Sequence, residues 1–95
     1  MSDERFNTIF FEPEKLPENQ VQTILLEVYA ALQYKGYNPV DQMVGYLMSG
    51  DPTYITAYDN SRAKITRVTR DDILEELVKT FVDHYELVRK EKKED

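Results

Sequence analysis

An all-α fold, a small compact domain of three to five helices, is predicted by three features of this 95-residue sequence. Apolar residues recur at helical spacing in three stretches, 21–32, 40–47 and 73–88. The first two stretches each run into a glycine, Gly36 and Gly50, the residue that most readily takes the left-handed conformation ending a helix. Each restart is a capping residue followed by proline, Asn38-Pro39 and Asp51-Pro52. Proline is harmless there because the first helical N–H has no partner inside the helix.

Residues 1–16 begin acidic, contain Pro13 and show no helical period, so they are expected to form a flexible N-terminal tail. Within them Phe6-Asn7-Thr8-Ile9-Phe10-Phe11 is an aromatic run with one hydroxyl. It is either a loose surface segment or a short recognition segment that docks or is modified. The helical domain is expected over residues 17–90. Its first helix, 18–34, carries Val21, Ile24, Leu25, Val28 and Leu32 on one face. A short second helix, 39–48, presents Val40, Met43, Val44 and Leu47 and is expected to be the central element around which the longer helices fold. Gly45 lies inside it at a cost of about 1 kcal/mol relative to alanine, which points to close approach by another helix.

After Pro52 the run Thr53, Tyr54, Ile55, Thr56 and Tyr58 prefers extended structure, so a turn leading into irregular chain is expected. Asp59 or Asn60 can cap a short helix reaching about residue 68, and Thr69 with Asp72 three positions on reads as the cap of the last helix. That helix is expected from 70 to about 90, ahead of a charged C-terminal tail at 91–95. Asp71, Asp72, Glu75 and Glu76 crowd its start, where the macrodipole favours negative charge, and Arg89, Lys90, Lys92 and Lys93 lie at its far end. Its apolar residues form two adjacent stripes, wider than one core face needs. A second copy of the chain is the economical cover, so a homodimer is expected, with Leu77, Phe81 and Tyr85 in the interface.

The net charge of −6 opposes polyanions and favours solubility. No apolar run approaches the ~20 residues that span a bilayer, and the acidic start is unlike a secretory signal. The chain therefore reads as cytoplasmic, with no membrane partner. The absence of cysteine removes thiol chemistry and thiolate metal sites. His84, the single histidine, has no second soft ligand to join it, and the acidic cluster at 71–76 lacks a glycine-bearing oxygen loop, so neither metal nor cofactor is expected. Phosphate-cradling and nucleophile-elbow motifs are missing, and no enzyme is expected. A helix-turn-helix DNA-binding regulator is the alternative, since the short helix and glycine turn suggest that unit. Residues 52–58, placed to be its recognition helix, hold no Arg or Lys, which argues against nucleic acid.

Two features remain. Arg62, Lys64, Arg67 and Arg70 form a basic island that either balances the acidic last helix or binds an anion, whether nucleic acid, an acidic protein or a phosphorylated residue. Thr8 is a hydroxyl in a segment open to a kinase. A phosphate there brings roughly −1.5 to −2 charge, and it either docks on the island and covers it or is recognised directly by a separate phospho-reader.

The blocks K-G-Y-N-P-V-D-Q-M-V-G-Y-L-M-S-G-D-P-T-Y-I at 35–55 and R-D-D-I-L-E-E-L-V at 70–78 resemble the IreB family of small cytosolic regulators from low-GC Gram-positive bacteria. The resemblance covers roughly residues 8–82. It implies phosphorylation of Thr8 by a membrane Ser/Thr kinase with extracellular cell-wall-binding repeats, reversed by a PP2C-type phosphatase. It also implies partner control through the basic region. Arg62, Arg67 and Arg70 fit that pattern, while Ala57 and Thr66 stand where relatives often have a basic residue. The family resemblance further implies a role in cell-envelope homeostasis and β-lactam tolerance, in which one phospho-form influences proteolytic turnover of an early peptidoglycan-precursor enzyme; the implied partner is a Clp-protease pathway or that enzyme.

Overall fold

The computed structural model describes residues 17–93, with side chains as far as residue 86. Thr8 and the rest of 1–16 lie outside the described residues.

Four α-helices and two short 3-10 turns make up the described chain: α1 (Gln20–Tyr34), α2 (Pro39–Ser49), α3 (Ser61–Ile65) and α4 (Arg70–Lys93), with no strand among the described residues. Asn19 caps α1 by accepting a hydrogen bond from the Gln22 N–H at 2.9 Å. At its other end Gly36 takes φ +88°, and the Tyr37 N–H reaches back to the Leu32 carbonyl at 3.0 Å. The second reversal repeats the device. Asn38 caps the Asp41 N–H at 3.1 Å, Pro39 opens α2, and Gly50 closes it at φ +77°.

The core is built on α1. Ile24, Leu25, Val28 and Leu32 meet Tyr46 of α2, Ile65 of α3, Ile73 of α4 and Ile55 from the irregular segment. That places α1 at the centre and corrects the expectation that α2 is the central element. Of α2 only Tyr46 is buried, and Val40, Val44 and Met48 are exposed. An 11-residue helix held between two reversals presents its stripe to whatever lies beside it. Here that neighbour is an open groove.

Gly45 is approached by a side chain rather than a helix: a Cβ there would lie 2.5 Å from the Tyr54 ring. Tyr54 is brought over it by the 3-10 turn Pro52–Tyr54, in which the Asp51 carboxylate accepts from the Thr53 N–H at 3.0 Å. Ile55 follows and is fully buried. Asp59 and Asn60 both hold positive φ, 57° and 62°, a conformation short polar side chains tolerate. Asn60 occupies the position before α3 without a side-chain hydrogen bond to it, and α3 stops at Ile65 rather than near residue 68. The cap of α4 is the expected one, with the Asp72 N–H donating to Thr69 Oγ1 at 3.0 Å. The helix extends to Lys93, past the anticipated boundary at 90.

Candidate functional site

The basic residues are placed by α3 and the start of α4, and three of them already have work within the fold. Lys64 ion-pairs with Glu27 of α1 at 3.1 Å and with Asp59 at 3.4 Å, and its side chain is only 18% exposed. Arg62 donates from Nε to the Ile55 carbonyl at 2.8 Å, fastening the irregular segment down onto the core. Arg70 donates from Nη1 to the Leu47 carbonyl at 2.9 Å, so a cation sits at the C-terminal end of α2, where the helix dipole favours it. Arg67 is exposed. The guanidinium groups of Arg62 and Arg70 keep further N–H donors after these bonds.

Arg62 also lines a shallow recess with Pro52, Ala57, Asn60, Ala63 and Thr66. Ala57 and Thr66 are the positions singled out by the resemblance, and folding brings both beside Arg62 although nine residues separate them in sequence. The Asp51 carboxyl nearby is held below its ordinary range, first by the Thr53 N–H and hydroxyl and to a lesser extent by the charge of Arg62.

Two parts of the apolar surface involve α4. One is a groove of about 310 Å³ between α1, α2 and α4, whose lining includes Leu26, Tyr29, Val40, Val44 and Leu77. The other is the far half of α4, where every side chain from Leu77 to residue 86 is exposed. Phe81 and Tyr85 pack there with ring centroids 5.0 Å apart and their planes tilted by 53°, and Phe81 is 64% exposed. The three residues expected at a dimer interface are thus divided: Leu77 belongs to the groove, while Phe81 and Tyr85 project beyond it. Periodicity marked α4 as too apolar for one face, but the groove was missed because its walls come from helices far apart in sequence.

A polar link joins α1 to α4 at the edge of this region. Gln22 Nε2 donates to Glu76 Oε2 at 2.6 Å, and Asn19 Nδ2 donates to Oε1 at 3.2 Å. The Gln22 bond is the main cause that holds the Glu76 carboxyl below its ordinary range.

His84 is exposed, with its ring edge-on to Tyr85 at 4.9 Å. Among the described residues no three His, Cys, Asp or Glu side chains converge as a metal site, and no helix is long and apolar enough to cross a membrane. The segment after Asp51 is a three-residue turn, where a helix-turn-helix protein would place a full recognition helix to enter the major groove.

Residues 6–83 match a family model described as IreB regulatory phosphoprotein. A UPF0297 protein of Lachnoclostridium phytofermentans is 53% identical over 79 residues, which cover 83% of this chain and 90% of the relative. A UPF0297 protein of Ruminiclostridium cellulolyticum is 47% identical over 78 residues, covering 82% and 89%.

Proposed function

Because the chain belongs to the IreB family of regulatory phosphoproteins, we propose that it is a non-enzymatic regulator switched by phosphorylation of Thr8. A membrane Ser/Thr kinase adds the phosphate and a PP2C-type phosphatase removes it. The protein acts in the cytoplasm by binding other proteins, in control of peptidoglycan synthesis and β-lactam tolerance. Downstream, one phospho-form influences proteolytic turnover of an early peptidoglycan-precursor enzyme, the direct partner being a Clp-protease pathway or that enzyme. The observation that carries this reading is the extent of the family match. It begins at residue 6, so it takes in Thr8, and it continues through the basic residues and most of α4.

Arg62, Lys64, Arg67 and Arg70 are the proposed partner surface. Arg67, with the remaining donors of Arg62 and Arg70, is its active part, because Lys64 is already paired with two carboxylates. The same residues suit a phosphorylated tail, since guanidinium groups bind phosphate through two parallel hydrogen bonds. The protein is proposed to work as a homodimer through Phe81, Tyr85 and the neighbouring part of α4, the exposed apolar stretch that most needs cover.

Phosphopeptide mapping of the protein from growing cells tests the switch. Phosphate is expected on Thr8, absent in Thr8→Ala and accumulating when the phosphatase is removed, with β-lactam tolerance altered in Thr8→Ala. An unmodified Thr8 under cell-wall stress in cells lacking the phosphatase would overturn the reading.

A further inference from the structure

The groove between α1, α2 and α4 has no part in the reading above. Its exposed lining is wholly apolar, with Ile73 contributing from the core side. Its volume, about 310 Å³, is at the small end for ligand pockets and suits a few large side chains.

We propose that this groove seats the chain's own Ile9-Phe10-Phe11. Position is the first argument. The 16 residues that precede the described chain join it at Pro17, next to the start of α1. The α1 start is tied by Asn19 and Gln22 to Glu76, the immediate neighbour of the groove residue Leu77. Gln22, Leu26 and Tyr29 follow at spacings of four and three and so share one face of α1. The groove therefore opens about two turns of α1 from the point where the preceding residues attach.

Reach is the second argument. Six residue steps from Pro17 back to Phe11 span up to about 20 Å. The rise along α1 from Asn19 to Tyr29 is about 15 Å. Phe11 can lie over Leu26, with Phe10 and Ile9 within range of Val40 and Val44.

Chemistry is the third. A groove without charge gives a charged partner nothing to pair with, and water leaves it most favourably for apolar groups. Ile9-Phe10-Phe11 is the densest apolar cluster in residues 1–16, and each aromatic ring brings roughly 150–250 Å² of surface to bury.

Thr8 is the residue next to this cluster. A phosphate on it would have to shed water beside a surface that offers no cation, so phosphorylation should free the segment from the groove. That consequence rests on the phosphorylation proposed above; the docking does not.

The test uses the full chain with ¹³C-labelled Ile, Leu and Val methyl groups, compared with a Phe10→Ser/Phe11→Ser variant whose changes lie outside the described residues. Nuclear Overhauser contacts are expected from the Phe10 and Phe11 rings to methyls of Leu26, Val40, Val44 and Leu77. Those methyl signals should shift in the variant and be unchanged by tenfold dilution of the wild type. Unmoved methyls with no ring contacts overturn the proposal. So do contacts seen only between differently labelled copies, which would make a second copy the occupant. Phosphorylated Thr8 chain should give the methyl positions of the variant. If it keeps those of the unmodified chain while the variant moves, docking stands and the phosphorylation reading alone fails.

Discussion

At Gly45 two effects of opposite sign meet on one atom. Alanine in the middle of a helix gains about 1 kcal/mol over glycine. Its Cβ would nevertheless stand 2.5 Å from the Tyr54 ring, which must move. Overpacking of this kind costs roughly 1–3 kcal/mol, so Gly45→Ala should destabilise the protein by about 1 kcal/mol. In a Tyr54→Ala background the same change should stabilise it, and urea denaturation of the four variants reads the reversal directly. Gly36 and Gly50 make a second contrast. Both hold positive φ, where a Cβ costs roughly 1–2 kcal/mol. A Cβ at Gly36 meets nothing within 4 Å, whereas at Gly50 it would meet the Arg70 guanidinium at 2.9 Å. Gly50→Ala is expected to lower the denaturation midpoint more than Gly36→Ala. The excess should vanish when Arg70→Ala is combined with it. Equal losses in every background would mean that Arg70 does not lie over Gly50 in solution.

Between elements, the link from Gln22 and Asn19 to Glu76 makes the α1–α4 contact depend on pH. Hydrogen bonds, that from Gln22 above all, hold the Glu76 carboxyl below its ordinary range in the folded protein. A carboxyl lowered on folding adds stability that is complete above its unfolded value, about 4.3, and is lost as pH falls through the folded value. The group is partly exposed and screened by water, so the contribution should stay below about 1 kcal/mol. Glu76→Gln is therefore expected to lose less stability than the wild type between about pH 6 and about pH 3. Chemical denaturation at the two pH values measures it, and identical losses would show that the link does not form. The helix boundaries nearby were legible beforehand because caps are local: Asn19, Asn38 and Thr69 each accept from an N–H three residues on. Asn60 looked equivalent in sequence, yet its left-handed backbone leaves its side chain without that bond.

For the molecule as a whole, the far half of α4, uncovered among the described residues, is the feature that most needs an explanation. Leu74, Val78, Phe81, Val82 and Tyr85 are all exposed, an apolar surface of a kind that monomers seldom leave to water. A homodimer covering Phe81 and Tyr85 predicts that sedimentation equilibrium of the wild type gives twice the chain mass at micromolar concentration. Phe81→Asp/Tyr85→Asp should give the chain mass with helicity retained, because neither residue supports the core. A wild type that stays at the chain mass at high micromolar concentration would rule the dimer out.

The sequence by itself determined the helical class, the two glycine stops with their cap-and-proline restarts, and the buried face of α1. Each rests on interactions among residues a few positions apart, so spacing and residue type are enough to read them. It also carried the excess apolar width of α4 and the acidic and basic segments. Tertiary structure alone decided which helix is central, because α1 and α2 both have an apolar stripe and only packing chooses which is enclosed. It alone made Ile55 a core residue, since a β-branched side chain in irregular chain has no period to announce its burial. It converted Lys64 from a surface cation into the partner of Glu27 and Asp59, gathered Ala57, Arg62 and Thr66 around one recess, and opened an apolar groove between three helices. These are meetings of residues distant along the chain, fixed by how the helices pack, and no local pattern encodes them.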